Sequence, residues 1–165
     1  AIDGSKLTGA GKVLQVVQTV KTGAQTFTLN NSWADITGLS VTITPVATSS
    51  KVLVSFTLMI GADGSNAYPR VKLQRDGSDI SVGTVVGSRV PATATAGYGS
   101  SSNNSGNTLA YEFLDSPAST SALVYKLQVR GYASRSFIVG GQGAISDAPA
   151  AVATPSSITV KEIGA

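Results

Sequence analysis

A chain of 165 residues, 42% hydrophobic but only 6% aromatic and 13% charged, is long enough for one domain with a full core. Its charge content lies well under the roughly 25% usual for soluble globular chains, and hydroxyl residues and Gly are abundant, which suits β-structure on an extracellular or virion surface and not a disordered tail. The net charge of +3 is scattered, and His and Cys are absent, which removes His-based triads, His and Cys metal sites, thiol catalysis and disulfides.

In chain order, Ala1 to Gly11 has three glycines and no apolar period, and is expected to be an arm or linker leading into a domain over residues 12–165. Lys12 to Thr22 alternates Val with Gln and Thr as a strand does. Gln25 to Leu29 is a short strand, Asn30-Asn31-Ser32 a turn, and Trp33 to Ile36 a further short strand. Ser40 to Pro45 and Lys51 to Gly61 follow as two strands. In the second, Val52, Val54, Phe56, Leu58 and Ile60 recur on every second residue, the period of a strand with one buried face. The opposite face, Lys51, Leu53, Ser55, Thr57 and Met59, is neither clearly wet nor clearly dry.

Ala62 to Ala67 is a turn cluster, and Asp76-Gly77 between Tyr68–Arg75 and Ile80–Val86 is the strongest hairpin signal in the chain. Pro91 to Tyr98 is a weak strand, and Gly99 to Asn107 is a polar loop. Leu109–Leu114 and Ser121–Gly131 are strands, the latter with Leu123, Tyr125, Leu127 and Val129 on one face. Phe137 to Val139 is short, Gly140 to Pro155 is mostly loop, and Ser157 to Ile163 closes the domain with Ile158, Val160 and Glu162 on one side. No long stretch has a capped helical period. About ten short strands at such spacing predict an all-β sandwich, jelly roll or barrel.

None of the nine acids sits in a recognisable catalytic motif, and most lie in turns where Asp caps its own backbone. Asp63-Gly64-Ser65-Asn66 lacks the repeated acids of a calcium loop and is expected to be a plain turn. No metal or cofactor is expected. Arg70, Lys72 and Arg75 are the nearest approach to a basic patch, but Asp76 and Asp79 follow at once, so they read as a solvated surface and nucleic-acid binding is not expected. No run of about 18 apolar residues is present, so membrane insertion is not expected. Trp33 reads as a core plug, with an exposed sugar-stacking role as the alternative. Tyr98, beside the polar loop, together with Asn103, Asn104 and Asn107, is the set of residues suited to saccharide hydroxyls; a loop that merely solvates a strand end is the competing reading.

Five segments, KVLQVVQTVKT, DITGLSVTITPVATSSKVLVSF, VKLQRDGSDI, FLDSPASTSALVYKLQV and SSITVKEIGA, occur in this order. Together they resemble a group of bacteriophage virion proteins, mostly tail-fibre C-terminal domains and related capsid-surface fibres, many from phages of cyanobacteria and marine bacteria. The resemblance implies a jelly-roll-like antiparallel β-sandwich, homotrimeric, placed on a virion beside other virion proteins, which adheres to a host-cell glycan or protein and catalyses nothing. A capsid cement, decoration or head-fibre protein anchored through its N-terminal arm is the alternative. The chain begins Ala1-Ile2-Asp3 and its only Met is Met59, so a processed chain or a piece of a longer one is expected. Leu53 and Met59, left over once the core face is assigned, are the expected trimer contacts.

Overall fold

The computed structural model describes residues 11–62, 67–96, 105–142 and 151–164, and among these there are strands and no helix. The strands are β1 (Lys12–Lys21), β2 (Gln25–Thr28), β3 (Trp33–Ile43), β4 (Lys51–Ala62), β5 (Arg70–Arg75), β6 (Ser78–Ile80), β7 (Ala94–Thr95), β8 (Ser105–Asp115), β9 (Leu123–Arg130), β10 (Ser136–Val139) and β11 (Ser156–Gly164). Residues 1–10 of the arm read over Ala1 to Gly11 and residues 63–66 of the turn read over Ala62 to Ala67 lie outside the described residues.

Three strand pairs are single strands interrupted. β10 and β11 run in the same sense along one edge of β4, Val139 opposite Ile60 and Ser157 opposite Thr57. Gly140 leaves the ladder between them at φ +82°, a conformation that suits glycine. Its N–H donates to Met59 O at 2.8 Å and its carbonyl accepts from Thr154 N at 2.9 Å, so the excursion is closed at its base. β1 and β2 follow one another against β11 and β10, and β6 and β7 do so along β5.

Eight strand positions result: β1 with β2, β3, β4, β5, β6 with β7, β8, β9, and β10 with β11. The first sheet has the order one-eight-three-six, the second two-seven-four-five. Every nested pair is made, first with eighth, second with seventh, third with sixth and fourth with fifth. The chain is thus one long antiparallel ribbon rolled into two facing sheets, the connectivity of a jelly roll. The fold expected from strand spacing is the fold observed.

The hydrophobic alternation places the core. Val52, Val54, Phe56, Leu58 and Ile60 of β4 are all buried, and so are Leu123, Tyr125, Leu127 and Val129 of β9 in the facing sheet. Burial of each large side chain contributes roughly 1.5–3 kcal/mol. Phe27 and Phe137 stack at 5.3 Å between ring centroids and close one end. The hairpin turn follows its sequence signature, with Asp76 at φ +49° and Gly77 at φ +81° between the paired Arg75 and Ser78.

Several local readings are corrected. Trp33–Ile36 and Ser40–Pro45 are one strand, bent by a register shift between Asp35 and Ser40 with Gly38 at φ +79°. Among the described residues, the strands read over Ile80–Val86 and Pro91–Tyr98 are paired only over Ser78–Ile80 and Ala94–Thr95, because β5 offers only six residues of edge to pair with, and residues 97 and 98 lie outside the described residues. The loop reading of Ser105, Gly106 and Asn107 also fails. These residues pair with Ala62, Gly61 and Ile60, where the length of β4 overrides their weak strand preference.

Two buried acids tie the sandwich together at one end. Asp115 and Glu162 stand opposite Val52 on its two sides. Asp115, on the first sheet, accepts hydrogen bonds from Arg75 Nη1 (2.6 Å) and Tyr125 Oη (2.7 Å), both on the second. The carboxylate raises the Arg75 pKa, and burial together with that carboxylate pushes the Tyr125 phenol above its usual range. Glu162 accepts from Gln15 Nε2 (2.6 Å) and Val46 N (2.8 Å), which fastens β11 to β1 and to the β3–β4 connection. Burial pushes the Glu162 pKa up, but these donors and the nearby Ser50 outweigh it, and the net shift is downward. The Ser50 hydroxyl is itself buried without a hydrogen bond of formed geometry, so Gln15 and Val46 are the donors that count.

The unfolded chain titrates Glu162 near its ordinary value of 4.5 and the folded chain below it. Its contribution to stability is therefore complete above that pH and is lost as the pH falls through the folded value. Glu162→Gln is expected to be less stable than wild type at pH 7 and to converge with it below pH 4.5, as measured by urea unfolding across pH. A constant difference between the two proteins at all pH values is the contrary result.

Candidate functional site

The rolled ribbon leaves two outer faces, and register decides what each displays. On the first sheet Leu53 stands opposite Leu114, Ser55 opposite Glu112, Thr57 opposite Ala110 and Met59 opposite Thr108. On the far side of β11 this face continues through Lys161 to Val16, Thr159 to Gln18 and Ser157 to Val20. Leu114, Val16 and Val20 are exposed, and Leu53 and Met59 are half-buried. The face mixes apolar and hydroxyl side chains with few charges. It carries both residues expected at a subunit contact.

The outer face of the second sheet is built of charge and aromatic rings in cross-strand rows. One row is Asp35, Gln128 and Lys72, and the next along the strands is Trp33, Arg130 and Arg70. Asp35 accepts from Gln128 Nε2 (2.7 Å) and Lys126 Nζ (2.9 Å), which hold its pKa below the usual carboxylate value. Lys72 pairs with Asp79, and its ammonium lies 4.4 Å from the Trp33 ring centroid. Asp79 also accepts from Gln74 Nε2 at 2.8 Å. Burial pushes its pKa up, but these donors bring it below normal.

Arg70 and Arg130 are different. They stand directly opposite one another, and neither has a carboxylate partner among the described residues. Arg70 Nη1 donates to Tyr68 O at 3.3 Å, and its guanidinium lies 6.0 Å from the Tyr68 ring centroid. Arg130 Nη2 donates to Asn31 Oδ1 at 3.3 Å, while its Nε is buried with no acceptor. Burial and then the charge of Arg130 lower the Arg70 pKa. The ladder runs one step further, Tyr132 N donating to Ala67 O at 3.0 Å, and the Tyr68 and Tyr132 rings meet edge to face at 5.7 Å. A cavity of about 260 Å³ is lined by Tyr68, Arg70 and Tyr132.

Trp33 is thus half-buried on an outer face rather than plugging the core. The next residue, Ala34, pairs with the buried Val129 and takes the inward position. Of the saccharide set, Tyr98, Asn103 and Asn104 lie outside the described residues. Asn107 is half-buried in β8 opposite Ile60, on the inward side of that strand. The described residue nearest that loop's start, Ala96, donates its N–H to Pro69 O at 3.1 Å, beside Tyr68. Sequence reasoning missed Tyr68, Arg70, Arg130 and Tyr132 as a group. The available signal was a repeated spacing, Tyr68-Pro69-Arg70 and Arg130-Gly131-Tyr132, each with Tyr two residues from Arg.

No family profile and no curated protein matches the chain. Among solved structures, one that is similar in part is the structure of infectious bursal disease virus Gx strain, with 13% identity and a TM-score of 0.43. The match covers 90% of this chain, which spans 38% of the length of that one. A likeness this weak carries no functional argument.

The face assignment has a sharp test in two adjacent residues. Leu73 faces the core and Lys72 faces out. Leu73→Ala is expected to cost about 2–5 kcal/mol of unfolding free energy. Lys72→Ala is expected to cost about 1 kcal/mol or less and to red-shift Trp33 fluorescence. Equal losses in the two variants would contradict the assignment.

Proposed function

We propose that this chain is a non-enzymatic surface domain of a bacteriophage virion, a trimeric fibre domain that attaches to a glycan or protein of the host cell. The observation that carries this reading is where the polar chemistry lies. The buried acids Asp115 and Glu162 are each engaged in holding the sandwich together. Arg70 and Arg130, which have no carboxylate partner among the described residues, lie with Tyr68 and Tyr132 on an outer face beside a cavity, and no acid pair accompanies them among the described residues. A jelly roll with an adhesive face and order-preserving resemblance to phage fibre segments fits attachment better than catalysis. In this reading the mixed outer face around Leu53 and Met59 packs around the trimer axis.

A place on the capsid as a decoration subunit is the second reading. The exposed Val13, Leu14, Val16 and Val20 of β1, next to the N-terminal segment, favour it, since they could pack on a shell. Labelling intact particles with an antibody to this domain separates tail from head.

Purified protein is expected to adsorb to host bacteria and, in light scattering at micromolar concentration, to have the mass of a trimer. Leu53→Glu should dissociate the trimer while keeping a cooperative thermal unfolding transition and the circular dichroism of a β-sandwich. Failure to adsorb to any permissive host removes the attachment reading. A wild-type monomer, or a trimer indifferent to Leu53→Glu, removes the proposed interface.

A further inference from the structure

We propose that the square formed by Tyr68, Arg70, Arg130 and Tyr132 binds an acidic saccharide unit, its carboxylate or sulfate held between the two guanidiniums and its ring against the tyrosines. The choice of a saccharide rests on the attachment reading above; the anion site rests on geometry alone.

Residues directly opposite in an antiparallel ladder have Cβ atoms about 4.5–5.5 Å apart, where like charges destabilise the pair. Elsewhere on this sheet face the lysines stand opposite glutamines and each has a carboxylate, Asp79 for Lys72 and Asp35 for Lys126. Among the described residues none is supplied to Arg70 and Arg130, although they are cross-strand neighbours. The buried Nε of Arg130 adds a donor with no acceptor. An anion between the two residues offsets their repulsion and offers acceptors in the planar, forked arrangement that guanidinium prefers.

The adjoining cavity of about 260 Å³ is just under the ~300 Å³ lower end of ordinary small-molecule sites. It has room for one ring, with Tyr132 exposed as a surface to cover. A nucleic-acid strand fits less well. In this cross-strand row two cations lack a carboxylate among the described residues, and Asp35 and Asp79 on the same face would meet its phosphates. The single tryptophan, Trp33, stands opposite Arg130 and reports on the site.

The full chain is titrated with three oligosaccharides of equal length, a uronate oligomer from alginate, a sulfated galactan oligomer and a neutral dextran oligomer. Trp33 fluorescence and calorimetry are followed. Saturable binding is expected with at least one acidic oligomer, weakening as salt rises, and none with dextran; which acid binds tells carboxylate from sulfate. Arg70→Gln and Arg130→Gln should each weaken binding about tenfold or more. Their melting temperatures should be unchanged or higher, because each removes a like-charge contact. Arg130→Lys keeps the charge but not the fork and should fall between. No saturation with either acidic oligomer, equal binding of dextran, or wild-type affinity in both glutamine variants overturns the proposal. Adsorption of the double variant to cells that hold the wild type separates the two readings. Unchanged adsorption overturns this site and leaves attachment standing. A wild type that binds acidic oligomers but adsorbs to no cell overturns attachment and leaves this site standing.

Discussion

The structure depends on β4 being paired on both edges along nearly its whole length. On one side it carries β8 from Val52 to Ala62, on the other β11 and then β10. A strand paired on both edges and apolar on every second residue has little choice of register, since a one-residue slip would turn Val52, Val54, Phe56, Leu58 and Ile60 to the outside. Once that register is set, the third and sixth strands of the ribbon are locked and the eighth is placed beside the third. The rolled topology then brings the second sheet over the apolar face.

Interruptions are tolerated because the ladder resumes in the same line. Chain leaves the first sheet at Gly140 and returns at Ser156 without disturbing the pairing of β4, and the same holds between Ile80 and Ala94 beside β5. Loop closure costs rise only slowly with length, so such excursions can grow on a rigid sandwich. The frame can therefore keep its packing while the surface around it varies.

Charge on this protein is sparse, and among the described residues three cations are settled in ion pairs. Lys72, Lys126 and Arg75 each have an acid, and Glu162 is held by an amide and a backbone N–H inside the sandwich. Unlike Lys72 and Lys126 on the same face, the facing Arg70 and Arg130 have no acid among the described residues, and the proposed anion would complete their balance. The low charge of the other outer face has the opposite sense. It leaves little to oppose close contact with another apolar surface.

Much of the fold was legible because it follows from a period of two. The alternation in Lys51–Gly61 and Ser121–Gly131 identified both central strands and their buried faces, and Asp76-Gly77 marked the hairpin, since positive φ at both turn positions selects those residues. The alternation in Ser157–Ile163 puts Glu162 on one face with Ile158 and Val160, and that face is buried. What one strand displays to another was not legible. Whether Trp33 points in or out depends on its pairing with Arg130, and Asn107 became strand only because β4 reaches Ala62. Arg70 and Arg130 belong to segments far apart in the chain, and each alone looks like an ordinary surface cation. The sequence by itself determined the all-β class and the buried faces of the long alternating strands, because these arise from neighbours along the chain. Only the tertiary structure decided the strand order and the Tyr–Arg square, because register between distant strands is set by packing of the whole core.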